Sequence, residues 1–259
     1  MVDFLNALAQ NTRKTINKGY YEVKKQVETI SVSLKKAILE CKHVPIIAEI
    51  KVASPSLGVI KRKANVEEIA AAMENGGAIG ISVLTEPEYF KGSLGSFMKV
   101  RKLTELPLLM KDIIISPTQL EAASKIGANA VLLIEALFDR KLCECDVHDM
   151  IDYARSKNLE VLLEVHTLHE FISALKTDAD LIGINNRNLK TLKVDLRVTK
   201  RILQKFDPRE RIIVSESGIK TPADVRFLHE CGAHAFLIGS TIMKADNVQK
   251  KVEEFVRAL

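Results

Sequence analysis

Residues 106–134 read LPLLMKDIIISPTQLEAASKIGANAVLLI. Leu106-Met110 is a short apolar run, and Pro117-Ile126 alternates polar and apolar residues at helical spacing. Ser116 before Pro117 places an N-cap residue ahead of a proline at the first helical position. Gly127 follows as a helix stop, and Ala130-Ile134 is a second apolar run. The stretch is therefore strand, helix, strand. The same alternation extends in both directions, with further apolar runs at Ile46-Ile50, Ile79-Leu84, Val161-Val165, Leu181-Ile184, Ile212-Val214 and Ala235-Ile238. Helical stretches lie between them at Val66-Glu74, Val147-Ser156, Leu168-Leu175, Leu196-Gln204 and Pro222-Glu230. Thr221-Pro222 repeats the cap, while Gly76 and Gly232 repeat the stop.

The runs recur roughly every 20 to 35 residues, the length of a βα unit. Near-continuous apolar strands are buried on both faces, which implies a parallel sheet. Eight such units predict an α/β fold, a (β/α)8 TIM barrel. The alternative is a doubly wound open sheet; that usually has fewer strands, and no GxGxxG follows the first strand here.

The 259 residues suit one barrel of ~250 residues, so residues 1–259 are expected to form a single domain. Before the first strand, Phe4, Leu5, Leu8 and Ala9 make one helical stripe, and Val32, Leu34, Ala37, Ile38 and Leu39 make another. Residues 1–44 thus read as an N-terminal helical extension. No apolar run reaches the ~18 residues of a membrane span, and the N-terminus lacks a basic-then-apolar leader, so a cytoplasmic protein is expected. The net charge of +5 is interspersed, with no tryptophan and no basic stripe, which argues against a nucleic-acid partner. Cys143 and Cys145 form CxC rather than CxxC, and no HxH or HExxH occurs. The four cysteines read as reduced thiols, and no metal is expected.

In a parallel barrel, chemistry gathers at the C-terminal strand ends. In Ile47-Ala-Glu-Ile-Lys51, Glu49 and Lys51 are two apart and face one side of the strand. A charge in an apolar strand is costly unless paired or functional; the two could also simply pair. The third run ends in Lys111, which could be merely solvated, and the fifth contains Glu164. The sixth leads into Asn185 and Arg187, and the seventh into Glu216. Ser217-Gly218 and Gly239-Ser240 follow the last two runs, where barrels commonly bind phosphate through glycine backbone and helix N-termini. Tight turns use the same residues. The acids Glu49, Glu164 and Glu216, the cations Lys51, Lys111 and Arg187, and the amide of Asn185 suit proton transfer without a cofactor. The residues by themselves point to acid–base catalysis on a phosphorylated small molecule.

Ile47-Ala-Glu-Ile-Lys-Val-Ala-Ser-Pro-Ser56 resembles the first-strand motif of the indole-3-glycerol phosphate synthases. So do Thr85-Glu-Pro-Glu-Tyr-Phe-Lys-Gly-Ser93, Met110-Lys-Asp-Ile113, Leu162-Leu-Glu-Val-His166, Gly183-Ile-Asn-Asn-Arg-Asn-Leu189, Ser215-Glu-Ser-Gly-Ile219 and Leu237-Ile-Gly-Ser240, in that family's order and spacing. The resemblance implies a carboxy-lyase of tryptophan biosynthesis. It would convert 1-(o-carboxyphenylamino)-1-deoxyribulose 5-phosphate to indole-3-glycerol phosphate, CO2 and water.

Carried over by resemblance, Lys111 would be the general acid at the ketose carbonyl, with Lys51 binding substrate and sharing acid duty. Glu164 would be a base or electrostatic stabiliser in dehydration. Glu49 would balance the lysines and Asn185 would hold substrate hydroxyls or carboxylate. Arg187, Glu216 and Ser217 would contact the substrate, Phe90, Leu132 and Leu189 would pack its anthranilate ring, and Ser54, Gly218, Gly239 and Ser240 would hold its phosphate. No cofactor is implied. A monomer is expected, with a homo-oligomer as the alternative. Two residues depart from the family pattern: Val52 stands where a basic residue is common, and Ile113 where phenylalanine is common. The rival barrel enzyme phosphoribosylanthranilate isomerase uses a Cys–Asp pair, and no cysteine here ends a strand. A second rival is a non-catalytic phosphoester-binding subunit, but the retention of Lys111 and Glu164 argues against a degenerate barrel.

Overall fold

The computed structural model describes residues 4–27, 30–54, 58–60 and 65–259; Pro55 and Ser56 of the first-strand motif, and the first three residues of the extension, lie outside them. The strands are β1 (Ile46–Ile50), β2 (Ala53–Ser54), β3 (Gly58–Val59), β4 (Gly80–Leu84), β5 (Leu108–Lys111), β6 (Ala130–Ile134), β7 (Glu160–Val165), β8 (Leu181–Asn185), β9 (Ile213–Glu216) and β10 (Ala235–Ile238). All but β2 and β3 form one closed parallel barrel, in the order β1-β10-β9-β8-β7-β6-β5-β4. The (β/α)8 expectation holds, and each expected run became a barrel strand within two residues of its bounds. Closure disposes of the open-sheet alternative, since β4 pairs with β1 at Ile47↔Gly80.

The helices are α1 (Phe4–Asn17), α2 (Leu34–Glu40), α3 (Val66–Asn75), α4 (Leu94–Arg101), α5 (Pro117–Lys125), α6 (Glu135–Asp139), α7 (Val147–Ser156), α8 (Leu168–Ala174), α9 (Arg197–Leu203), α10 (Pro222–Glu230), α11 (Ser240–Met243) and α12 (Val248–Val256). Ser116 and Thr221 cap α5 and α10 as their sequences predict, and Thr221 forms a full capping box with Asp224. Gly76 is the C-cap of α3 as its sequence predicts; it is right-handed, and the left-handed residue that follows is Gly77 at φ 90°. Gly76 is needed for another reason: a Cβ there would press on the Val252 side chain of α12. The antiparallel pair β2–β3 and helices α4, α6, α11 and α12 were not anticipated. Among the described residues, no helix is long and apolar enough to cross a membrane.

Strand alternation divides the core in two. Outward residues such as Ile46, Ala48, Ile81 and Met110 pack under the helices, while Ile47, Leu109, Leu132, Leu162, Val214 and Leu237 fill the barrel interior. The extension serves both ends of the barrel. Leu34 and Ile38 of α2 join the interior cluster from the N-terminal end of the strands, where Leu34 lies against Gly80 and its N–H is accepted by Glu160 at 2.7 Å. Leu39 of the predicted stripe is 66% exposed, because it follows the buried Ile38 round the helix. At the opposite end, α1 lays Leu5 and Leu8 over the strand mouth. The chain between is pinned at the mouth, where Tyr21 Oη donates to Asp112 at 3.1 Å and Tyr20 Oη donates to the Thr85 carbonyl at 2.9 Å.

Candidate active site

Two residues above most of the interior apolar side chains, the inward position turns polar or small; above Leu132 it stays apolar, at Ile134. Ile47 is followed by Glu49, Leu109 by Lys111, Leu162 by Glu164, Val214 by Glu216, and Leu181 by Gly183 and then Asn185. One register shared around the barrel thus brings together residues distant in sequence. They floor a cavity of about 1010 Å³ at the C-terminal strand ends. Each of the residues singled out from sequence lines it: Glu49, Lys51, Ser54, Phe90, Lys111, Leu132, Glu164, Asn185, Arg187, Leu189, Glu216, Ser217, Gly218, Gly239 and Ser240.

The charges pair closely. Lys111 Nζ donates to Glu216 Oε2 at 2.7 Å and to Glu164 Oε2 at 3.3 Å. Lys51 Nζ lies 2.5 Å from Glu49 Oε1. Burial opposes the Lys111 charge, but Glu216, Glu164 and Glu49 outweigh it and hold the ammonium well above the ordinary lysine value. Glu164 moves down: burial works against its charge, and Lys111, His166 and Asn185 overcome that. Glu216 moves up to about 7, because burial and the nearby Glu164 charge outweigh the help from Lys111. Two carboxylates on one ammonium are thereby pushed apart, one fixed as an anion and the other able to exchange a proton near neutrality.

Two glycines make room for this arrangement. A Cβ on Gly239 would fall on Glu49 Oε1, and one on Gly183 would fall on Glu216 Oε1. Gly239 therefore also houses a carboxylate, beyond its expected part in phosphate binding. After β9, Ser217 (φ 67°) and Gly218 (φ 87°) are both left-handed. For a serine such a backbone costs of order 1–3 kcal/mol and persists only where its surroundings impose it. Asn186 supplies that constraint: its Nδ2 donates to the Glu216 carbonyl at 3.0 Å and to the Ser217 carbonyl at 3.3 Å. Thr241 Oγ1 donates to the Ile219 carbonyl at 2.7 Å, tying the start of α11 to the same turn. Ser54 is buried in β2 and lines the same cavity as the two Gly-Ser loops.

Of the two departures from the family pattern, Ile113 lines the cavity, whereas Val52 is not among its walls. None of the four cysteines lines it either, and Cys231 is the C-cap of α10, which removes the nucleus of the isomerase alternative.

Residues 5–255 match the profile of the indole-3-glycerol phosphate synthase family. The chain belongs to that family. It is 46% identical over 214 residues to the indole-3-glycerol phosphate synthase of Caldanaerobacter subterraneus subsp. tengcongensis, covering 83% of this chain and 80% of that one. To the enzyme of the same description from Methanocaldococcus jannaschii it is 42% identical over 254 residues, covering 96% and 91%. Among solved structures, thiamine phosphate pyrophosphorylase from Pyrococcus furiosus superposes with a TM-score of 0.60 at 20% identity, over 85% of this chain and 96% of that one. An N-acetylmannosamine-6-phosphate 2-epimerase from Clostridium perfringens superposes at 0.61 and 14%, over 87% and 97%. At such identity these two likenesses speak for the barrel alone. The carboxy-lyase expected from the seven motifs is the activity of the family to which the chain belongs.

Sequence reasoning passed over several mouth residues. Leu5 and Leu8 read in sequence only as a helix stripe, and Asp112 only as a letter within a motif, yet all three line the cavity; His166, behind the wall, is equally silent in the sequence. Glu86 accepts Asn11 Nδ2 at 3.1 Å and the backbone N–H of Tyr89 and Phe90, which fixes the Phe90 loop beneath α1. Its signal in the sequence is an acid two residues past an apolar strand, in the stretch from Thr85.

Proposed function

We propose that this cavity performs the indole-3-glycerol phosphate synthase reaction, with the residue roles expected from sequence and one refinement. The carrying observation is the Lys111 ammonium held between Glu164 and Glu216 on the barrel floor. Ring closure joins the aromatic carbon bearing the carboxylate to the ketose carbonyl, and charge builds on the carbonyl oxygen. Lys111 meets that charge and delivers a proton. An ammonium held this firmly remains acid enough for a departing hydroxide, because water's own pKa is ~15.7. Carbon–carbon cleavage then releases neutral CO2 and restores the aromatic ring. Dehydration gives the indole, with the hydroxyl leaving as water and a proton lost from the adjacent carbon.

The refinement concerns Glu164. Its depressed carboxyl makes it a poor proton acceptor, so it acts as a fixed anion that steadies the cationic, nitrogen-assisted transition state of dehydration. Glu216, lifted to about 7, is the better proton exchanger. Lys51, held by Glu49, shares acid duty and grips the substrate carboxylate, with Asn185 and Arg187 beside it. Phe90, Leu132 and Leu189 pack the aromatic ring, helped by Ile113 and Leu8. Ser54, the Ser217-Gly218 turn and Gly239-Ser240 take the phosphate. The same reading has the enzyme working in the cytoplasm as a monomer, without metal, cofactor, nucleic acid or membrane.

The test mixes purified protein with 1-(o-carboxyphenylamino)-1-deoxyribulose 5-phosphate in EDTA and follows indole fluorescence. Turnover supports the reaction and the absence of a metal requirement together. Folded protein that binds a substrate analogue without turnover would refute the proposal and favour a phosphoester-binding subunit.

A further inference from the structure

Glu164 is gripped from two sides, and only one grip belongs to the cavity. Its Oε2 faces Lys111; its Oε1 lies 3.2 Å from His166 Nε2. The other ring nitrogen, Nδ1, lies 3.3 Å from Glu170 Oε2, and that oxygen also accepts the His166 backbone N–H at 2.7 Å. The imidazole is 5% exposed and is not part of the cavity wall. Glu170 is itself set by the start of α8, where its N–H donates to Thr167 Oγ1 at 3.2 Å. Nδ1 is within hydrogen-bond distance of Glu170, while Nε2 approaches Glu164 at ion-pair distance without hydrogen-bond alignment; an imidazole carrying both protons suits both carboxylates.

We infer that His166 is a positioning residue for the reaction: a doubly protonated imidazole, braced on Glu170, that aims Glu164 at Lys111 and keeps it an anion. The inference rests on the proposed function and deepens it. The surroundings agree from every packed element. Glu164 on β7 and Glu170 on α8 both draw the histidine toward its charged form, against burial, to about 9. Behind Glu170, Glu135 on α6 is pushed up to about 7 by burial and by the charges of Asp139 and Glu170. Lys111 on β5, Asn185 on β8 and Arg187 beyond it bear on the far side of Glu164. His169 points outward, 81% exposed near Asp139, and takes no part. An unbraced carboxylate on a flexible side chain could swing wholly onto Lys111; the histidine holds one oxygen back.

The substitutions separate orientation from packing. In His166→Gln the amide nitrogen takes the place of Nε2 and keeps an N–H on the Glu164 side. In His166→Asn the amide nitrogen takes the place of Nδ1 and faces Glu170 instead. For Asn, kcat should fall roughly 10-fold to 100-fold, as for other residues that orient an active group, with KM nearly unchanged. Gln should recover part of that loss. Independently of any variant's folding, 15N-histidine NMR of the unsubstituted protein should show both His166 ring nitrogens protonated at pH 7. Equal losses for Gln and Asn, or a neutral His166 at pH 7, would overturn the inference. Wild-type rates in both variants would do so while leaving the proposed function intact. No turnover by the unsubstituted protein would refute that function first, and the inference with it.

Discussion

Replacing Lys111 with methionine keeps most of the side-chain stem and deletes the charge. The ammonium lies 2.7 Å from Glu216 and 3.3 Å from Glu164. At an effective dielectric of about 20, those contacts are gross attractions of about 6 and about 5 kcal/mol, before the desolvation that opposes them. Removing one partner of such a buried cluster costs roughly 3–5 kcal/mol, most of it the penalty on the carboxylates left behind. Those carboxylates have an escape, because they can take up protons. In Lys111→Met the folded-state pKa values of Glu164 and Glu216 rise above the unfolded value of about 4.3. A carboxyl raised in the folded state favours folding at low pH, and that benefit is lost as pH climbs through the unfolded value toward the folded one. The melting temperature of Lys111→Met should therefore sit close to wild type at pH 5 and fall progressively below it by pH 8. Turnover should drop by about 10²–10⁴-fold, the usual contribution of a positioned acid. Paired melting curves across pH, with indole fluorescence at each pH, measure both. A melting gap that narrows with rising pH, or turnover within tenfold of wild type, would refute the charge arrangement argued here.

Glu216→Gln should keep an acceptor for Lys111 but erase the ionisation near 7 from the pH dependence of kcat/KM, as a pH–rate series would show. Gly239→Ala places a methyl group on Glu49 Oε1 and so displaces the Glu49–Lys51 pair; a misplacement of this size should cost about 10²-fold in kcat/KM, with the circular-dichroism spectrum unchanged. Tyr21→Phe removes a donor to the buried Asp112 and should cost about 1–3 kcal/mol in denaturant unfolding. Burial lifts Asp112 to about 7, so its ionisation opposes folding, and wild type loses that stability as pH rises from about 4 to about 7. Asp112→Asn should flatten that part of the stability–pH curve.

The barrel was legible because its signals are local. Each strand announces itself by five or so apolar residues, and Ser116 and Thr221 mark helix starts without help from tertiary structure. What failed to show was set by distance. Nothing within two residues of Gly76 says that α12 presses on it, and a right-handed glycine after a helix reads the same as a left-handed one until Val252 is in place. Helix α6 starts directly from β6 with no side-chain cap, so its sequence carries no start signal. The β2–β3 pair is two residues per strand, too short for any periodicity.

The site divides along the same line. Glu49, Lys51, Lys111 and Glu164 are conspicuous because a charge interrupting an apolar strand must be explained, and alternation fixes which way it points. Their pairing is not in the sequence. That Lys111 meets Glu164 and Glu216, 53 and 105 residues away, depends on the stagger of the five neighbouring strands β5 to β9, from Met110↔Val131 round to Asn185↔Glu216. The difference between the two acids follows from that pairing. Glu164 has a second cation behind it and Glu216 has Gly183, so the same residue type becomes a fixed anion in one place and a proton exchanger in the other. Role in this mouth is thus decided by what stands behind each carboxylate, outside the cavity, where the sequence offers only a histidine after Glu-Val and a glycine two residues before Asn185.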